Sequence, residues 1–304
     1  MAETLQRERA YPVPRLDGVV APARTRSSPA QRAVTVYLGE QIDRIVSGDA
    51  ELRRGVDPIH DTRVAIRRVR STLRVFAKLF DRAAATEIES ELKWFAAVLG
   101  EVRDCQVQRK RFGDALDRLP DDLILGPVRS DIRNTLLSME RPARRRVTDA
   151  MDSERHLGMM AVLSRWRTEP PLQDGFGVDE LRKRFKKARR KADRRLVAAV
   201  GDGQDVALHS ARKAAKRARY AGELVGAVQP QASRKVKAYK KVQSALGDHQ
   251  DTVVARDVLR RMAAGTGSSQ DQNGFTYGLL YAREQRIAAK AGSKANELTK
   301  EGHS

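Results

Sequence analysis

The chain is poor in cysteine and in aromatic residues, and it has no long hydrophobic run. Cys105 is the single cysteine among 304 residues, so an internal disulfide is excluded and a reducing compartment fits the composition. No apolar stretch approaches the roughly 18 residues of a membrane-spanning helix, and no signal peptide is recognisable. Aromatic residues make up only 5% of the chain, and period-2 alternation is not sustained anywhere, which favours helices over strands. We therefore expect an all-α protein of the cytoplasm, without a membrane partner.

What the chain has in excess is positive charge. Lys and Arg total 59 against 39 Asp and Glu, which gives a formal net charge of +20. A charge of this size opposes compaction unless a partner neutralises it. The composition therefore predicts an anionic partner, for which nucleic acid, anionic lipid and phosphate polymers are the first classes to consider.

A basic helix that starts with histidine occurs twice. The pattern H-x-x-R-x-x-x-[RK]-R-x-R begins at His60 and again at His209, and an L-G-x-x-[RQ]-D motif follows each copy, at Leu99 and at Leu246. Because two separate motifs recur at nearly one spacing, the sequence predicts an internal duplication. Two four-helix bundles related by a pseudo-twofold axis would follow from it.

The helical patterns divide into two halves that together form one domain of about 30–297. Residues 1–29 are rich in Arg, Pro, Ala and Ser and are expected to form a disordered basic tail. Helical periodicity covers 30–167 and 178–297, and the segment between these ranges holds two prolines and two glycines, which is typical of a boundary. Pro142 is expected to break or kink the helix that contains it.

Each basic helix carries a cationic stripe, because positions three and four residues apart share a helical face. The first stripe consists of His60, Arg63, Arg67, Arg70 and Arg74, and the second of His209, Arg212, Lys216 and Arg219. Acidic residues are almost absent from both, although Glu223 ends the second, so adjacent cations repel unless anions occupy the face. Arginine can hold phosphate oxygens in a bidentate manner. The residues predicted to bind the anion are His60, Arg63, Arg67, Arg68, Arg70, Arg74, Arg103, His209, Arg212, Lys213, Lys216, Arg217, Arg219, Lys237, Lys240 and Lys241.

The two L-G motifs are interpreted as structural support for these side chains. Gly100 and Gly247 lie within helical patterns, where glycine indicates a kink or a close helix contact. Asp104 and Asp251 are predicted to hold cations of the stripes by ion pairs. No metal site and no cofactor are predicted: His249 stands between acidic residues, but its counterpart in the first copy is Val102.

Taken together, the paired motifs resemble those of the CHAD family, the conserved histidine α-helical domain, over roughly residues 30–297. The resemblance implies a helical fold around a basic cavity. It also implies binding of inorganic polyphosphate and association with polyphosphate granules, without catalysis. There are departures from the family pattern: Gln106 stands where members often have Asp, and Gln250 stands where the first copy has Arg103.

Three other functions are weighed against this one. A nucleic-acid-binding basic helical protein is the alternative, since any basic groove holds nucleic acid weakly through phosphates; the low aromatic content and the lack of a recognisable motif oppose specific recognition. Glu89–Lys93 matches the E-x-E-x-K signature of the CYTH triphosphatases, but inside a helical pattern, and is interpreted as accidental. His60 and Arg63 loosely resemble the phosphoacceptor helix of histidine kinases, yet no Gly-rich ATP-binding segment accompanies them. The oligomeric state is left open.

Overall fold

The computed structural model describes residues 27–265 and 274–301. Within these ranges the chain is helical apart from its connections and one isolated antiparallel bridge between Phe80 and Leu172. The helices are α1 (Pro29–Arg53), α2 (Ile59–Val75), α3 (Arg82–Leu116), α4 (Val128–Met151), α5 (Glu154–Trp166), α6 (Val178–Asp202), α7 (Asp205–Gly226), α8 (Ala232–Gly265) and α9 (Phe275–Glu301), with 3₁₀ turns at Ala77–Leu79 and Asp121–Leu123. The predicted all-α class is confirmed. The tail predicted for residues 1–29 lies almost wholly outside the described residues.

Several helices begin at residues whose side chains satisfy free backbone N–H groups. The Ser28 hydroxyl accepts from the backbone of Gln31, and the Gln31 side chain accepts from the backbone of Ser28, which forms a capping box at α1. Asp81 and Ser153 cap α3 and α5 in the simpler way, each with one side-chain acceptor. These caps fix where the chain turns between neighbouring helices.

Pro142 does not end the helix in which it lies. α4 continues through it, and buried Leu136 and Val147 lie on either side of Pro142 along the helix. Core packing on both sides holds the helix together although proline removes one backbone hydrogen bond. The chain turns only after Met151, where Ser153 caps the next helix. Of the break or kink predicted at Pro142, the break is therefore not observed.

The apolar core forms three clusters, two of which join the predicted halves. The largest packs α1, α2, α3 and α5 around residues such as Leu38 and reaches Leu224 of α7. A second cluster, rich in alanine, joins α6, α7 and α8 around Ala215. The third joins the end of α3 to α9 and includes Phe112 and Leu280. The halves therefore share their core, although residues 168–177 do form a connection without helix between α5 and α6.

The order of basic helix and long helix is the same in both halves. α2 and α7 carry the histidine-led motifs, while α3 and α8, of 35 and 34 residues, carry the L-G motifs. This order agrees with an internal duplication, which stays a prediction. α2 packs directly against α7, so both basic helices meet at the centre. No helix in the described ranges is at once long enough and apolar enough to cross a membrane.

Candidate functional site

A cavity of about 480 Å³ lies between the two basic helices, with α3 as its third wall. Ten cationic or titratable basic side chains line it: Arg63, Arg67, Arg70, Arg74, Lys93, His209, Arg212, Lys213, Lys216 and Arg217. Among the described residues, no carboxylate belongs to this lining. Because the like charges raise one another's energy in a partly desolvated space, an anion is the occupant that the cavity favours.

Several basic groups of the cavity bury a nitrogen that has no hydrogen-bond partner among the residues that the structure describes. They are Nη1 of Arg63, Nε of Arg67, Nε of Arg212 and Nδ1 of His209. Leaving a buried donor unpaired costs about 1–3 kcal/mol, and more for a charged group. Donors on α2 and on α7 therefore gain most from a ligand that presents many charged oxygens.

The glycines of the L-G motifs make room for two of these arginines. A Cβ at Gly100 would lie 2.5 Å from Nη1 of Arg63, and a Cβ at Gly247 would lie 3.2 Å from Nη2 of Arg212. Each guanidinium thus packs against the backbone of α3 or α8 at the glycine, and a larger residue at that position would displace it. The close contact indicated by the sequence is between a glycine and an arginine side chain, not between two helix backbones.

Asp104 and Asp251 act on the same two arginines from a distance. Arg63 is the strongest charge acting on Asp104, and Arg212 is the strongest charge acting on Asp251. Neither carboxylate forms an ion pair within the described ranges, so the predicted ion pairs are replaced by longer-range attraction. Desolvation outweighs this attraction and raises the pKa of Asp251. The arginine donors consequently stay available to a ligand.

Lys216 has a strongly altered affinity for its proton. Burial, followed by the charges of Arg212 and Arg67, lowers the pKa of Lys216 to about 7. Lys216 forms no ion pair with any residue that the structure describes. Burial and the charge of Lys213 also lower the pKa of His209. An anion in the cavity would favour the protonated form of both groups.

Arg68 and Arg219, both predicted to bind the ligand, are placed outside the cavity lining by Glu223. Arg68 Nε donates to Glu223 at 2.9 Å, and Arg219 Nε lies 3.2 Å from the same carboxylate. The Tyr37 hydroxyl also donates to Glu223, at 3.3 Å, and both guanidinium groups lie over the ring of Tyr220. This cluster joins α1, α2 and α7 beside the cavity.

Five further predicted residues also lie outside the lining of the cavity: His60, Arg103, Lys237, Lys240 and Lys241. His60 is exposed in the first turn of α2, where partial burial and the charge of Arg103 lower its pKa. Arg103 borders a separate depression between α3 and α9. The three lysines are exposed on α8. The two histidines of the repeated motif therefore differ in position, and only His209 lines the cavity.

Lys93 lines the cavity although the sequence patterns do not predict it. It lies on α3 next to Ala96 and Ala97, whose small side chains leave space within the same wall. Those two alanines, one turn after a lysine, are the signal that could have indicated it. The carboxylates of the E-x-E-x-K pattern are engaged elsewhere: Glu89 pairs with two cavity arginines and Glu91 with Arg155. Among the described residues, no three His, Cys, Asp or Glu side chains cluster as metal ligands would.

Comparison with known families identifies the class of protein that this fold and cavity represent. The CHAD domain family matches residues 36–260, which is most of the chain. The chain therefore belongs to the CHAD domain family, as its motifs predicted.

Two curated relatives are uncharacterized proteins of Mycobacterium tuberculosis, from strains CDC 1551 and H37Rv. Each is 30% identical over 285 residues, which covers 91% of this chain and 54% of the relative. The chain thus spans about half the length of these relatives.

Two solved structures share the fold. PptA from Streptomyces chartreusis has a TM-score of 0.75 at 20% identity, over 90% of this chain and 100% of that one. The CHAD domain from the plant Ricinus communis has a TM-score of 0.68 at 23% identity, over 92% and 94% of the two chains. At these identities the likeness concerns the fold.

Proposed function

We propose that the protein binds inorganic polyphosphate in the cavity between α2 and α7 and performs no reaction on it. The observation that carries the proposal is the cavity itself, which has basic side chains on all three walls and, within the part of the chain that the structure describes, no carboxylate in its lining. Four of these side chains bury a nitrogen that has no hydrogen-bond partner within the described ranges. A chain of phosphates supplies the two features that suit this lining, which are repeated negative charge and oxygen acceptors in every unit.

The same lining favours a phosphate polymer over nucleic acid. Recognition of single strands uses exposed aromatic faces on which bases stack. Of the described residues that line the cavity, Tyr220 alone is a Phe, Trp or Tyr, and the guanidinium groups of Arg68 and Arg219 already lie over its ring. A ligand without bases loses nothing by this arrangement.

A binding role without catalysis agrees with the chemistry of the lining. Hydrolysis of a phosphate chain requires a group that orients or deprotonates water, commonly a carboxylate, often together with carboxylate-bound metal ions. The described lining of the cavity contains no carboxylate that could activate water or hold a metal ion. Association of the protein with polyphosphate granules would follow from binding alone, because a granule presents the ligand at high density.

A competition titration tests the proposal. Long-chain polyphosphate is titrated against duplex DNA and single-stranded RNA at about 0.15 M salt, where weak phosphate contacts are screened. We expect polyphosphate to bind tighter by orders of magnitude. Equal or tighter binding of nucleic acid would refute the proposal and leave a general polyanion-binding protein.

Matched variants distinguish the contribution of the cavity to binding from that of the overall net charge. The double variant R67E/K216E reverses one cation on each basic helix of the cavity. The control R133E/R145E makes the same change in net charge at two exposed residues of α4 that do not line it. The first variant should lose polyphosphate binding with its helicity intact, and the control should keep it. Unfolding of R67E/K216E would instead mark the stripe as structural.

A further inference from the structure

A row of cations leaves the cavity along α6. Lys187, Lys191 and Arg195 follow one another at intervals of four residues, so they lie on one face of the helix. The two lysines are exposed and Arg195 is half-buried. The row therefore lies at the surface, within reach of a large ligand.

Arg217 connects this row to the cavity. It belongs to the cavity lining; desolvation and then the charges of Arg74 and Arg195 lower its pKa. Lys191 in turn lies within electrostatic reach of Arg195, Arg217 and Lys187. Because α6 packs against α7, Arg217 and the cations of the row form one electrostatically coupled group between the cavity lining and the surface of α6.

The row lacks the counter-charges that usually accompany such a pattern. Arg184, on the same helix, pairs with Glu180 four residues before it. In the part of the chain that the structure describes, Lys187, Lys191, Arg195 and Arg217 form no ion pair. Like charges four residues apart destabilise a helix, so this row, like the cavity, gains from an anion lying across it.

We propose that Arg217, Arg195, Lys191 and Lys187 form a second binding segment, which holds the part of a polyphosphate chain that extends beyond the cavity. The segment acts in this way only if the cavity binds polyphosphate as proposed above. From Lys187 to Arg195 the row spans about 12 Å at 1.5 Å per residue. A chain long enough to occupy both segments is held at two linked sites, which strengthens binding without any new contact in the cavity. The protein would therefore prefer long chains to short ones.

Three proteins and two ligands test this segment. The row variant K187Q/K191Q/R195Q is compared with the wild type and with R182Q/K186Q/R190Q, which removes the same number of positive charges from exposed residues on a neighbouring face of α6. Each is titrated with tripolyphosphate and with long-chain polyphosphate. We expect the row variant to bind long chains about tenfold more weakly or worse, and the slope of log K against log salt to decrease by about 2–3. Its affinity for tripolyphosphate should change less than about twofold, since the cavity residues are untouched.

The possible outcomes separate the two proposals. If the wild type binds neither phosphate ligand, the proposed function and the second segment both fail. If it binds both ligands and the row variant matches it on long chains, the segment alone fails. Equal losses in the row variant and its control would show general attraction by net charge and would also overturn the segment. Because Arg195 is half-buried, the double variant K187Q/K191Q repeats the test at exposed residues should the triple variant unfold.

Discussion

Polyphosphate binding should draw a proton onto Lys216. With a pKa of about 7, Lys216 is uncharged in about half of the free molecules at pH 7. The groups acting on it are cations of α2 and α7, opposed by Asp251 of α8. Phosphate oxygens next to the amine would favour the ammonium form and raise its pKa towards the ordinary value. Binding and protonation are therefore linked.

The size of the effect follows from the fraction of Lys216 that is charged before binding. Between about pH 7 and pH 8.5 this fraction falls from about one half to about 3%, so the affinity should weaken about 15-fold, or about 1.6 kcal/mol. The sign is fixed by linkage: the bound state holds more protons, so affinity falls as pH rises through the pKa of the free protein. His209, whose pKa is also lowered, adds a change of the same sign at more acidic pH.

Isothermal titration in two buffers of different ionisation enthalpy measures the proton uptake directly. We expect uptake of about half a proton per protein at pH 7, rising towards one as the pH increases. The variant K216R retains its charge and should show a flat affinity between about pH 7 and pH 8.5. A wild-type profile as flat as that of K216R, or zero proton uptake, would refute the coupling.

Three further outcomes are expected. G100A should weaken polyphosphate binding about tenfold, because the added Cβ displaces Arg63 and one charge-assisted hydrogen bond to the ligand is lost. Thermal melting should show no loss of stability, since alanine favours the helix. Unchanged affinity would contradict the role of Gly100 in making room for Arg63. E89Q should tighten polyphosphate binding about threefold at low salt, because Glu89 competes with the ligand for two cavity arginines. A lower affinity of E89Q in the same titration would contradict this competition. H156A should cost about 2–4 kcal/mol in urea unfolding, since this fully buried ring bonds Asp49 at 2.8 Å; a loss below about 0.5 kcal/mol would contradict that reasoning.

The electrostatics of Asp49 add a pH dependence to that last experiment. Burial alone would raise the pKa of Asp49, but its hydrogen bond with His156 and the nearby Arg53 hold the pKa below the ordinary value. A carboxyl whose pKa is lowered by folding stabilises the protein above its unfolded pKa, and this contribution is lost as pH falls through the folded value. The stability difference between wild type and H156A should therefore shrink in acid.

Periodicity predicted the helices and most of the cavity because both depend on local geometry. A spacing of three and four residues places Arg63, Arg67 and Arg70 on one face whatever the helix packs against, and all three line the cavity. Arg68 is only one position further along. It turns to Glu223 on another helix, and which acid meets it depends on the packing of α2 against α7.

The two histidines show why equal motifs need not give equal positions. α2 begins at Ile59, so His60 lies in its first turn and is exposed, whereas α7 begins at Asp205, a full turn before His209. The extra turn places His209 in the body of the helix, where it lines the cavity. The starting residue of a helix depends on the preceding connection, and a repeated motif does not contain that information.

The fold can keep so many unpaired cations together because the same helices are anchored by their apolar faces. On α2, Ile66 and Val69 are fully buried, and Leu73 is 3% exposed. Burying such a side chain contributes about 1.5–3 kcal/mol, whereas a like-charge pair on a helix costs only about 0.2–0.5 kcal/mol. Packing therefore outweighs the repulsion along the stripe several times over. We therefore expect the cavity to keep its shape without a ligand, and we expect binding of the proposed anion to relieve the remaining repulsion, which would then contribute to affinity.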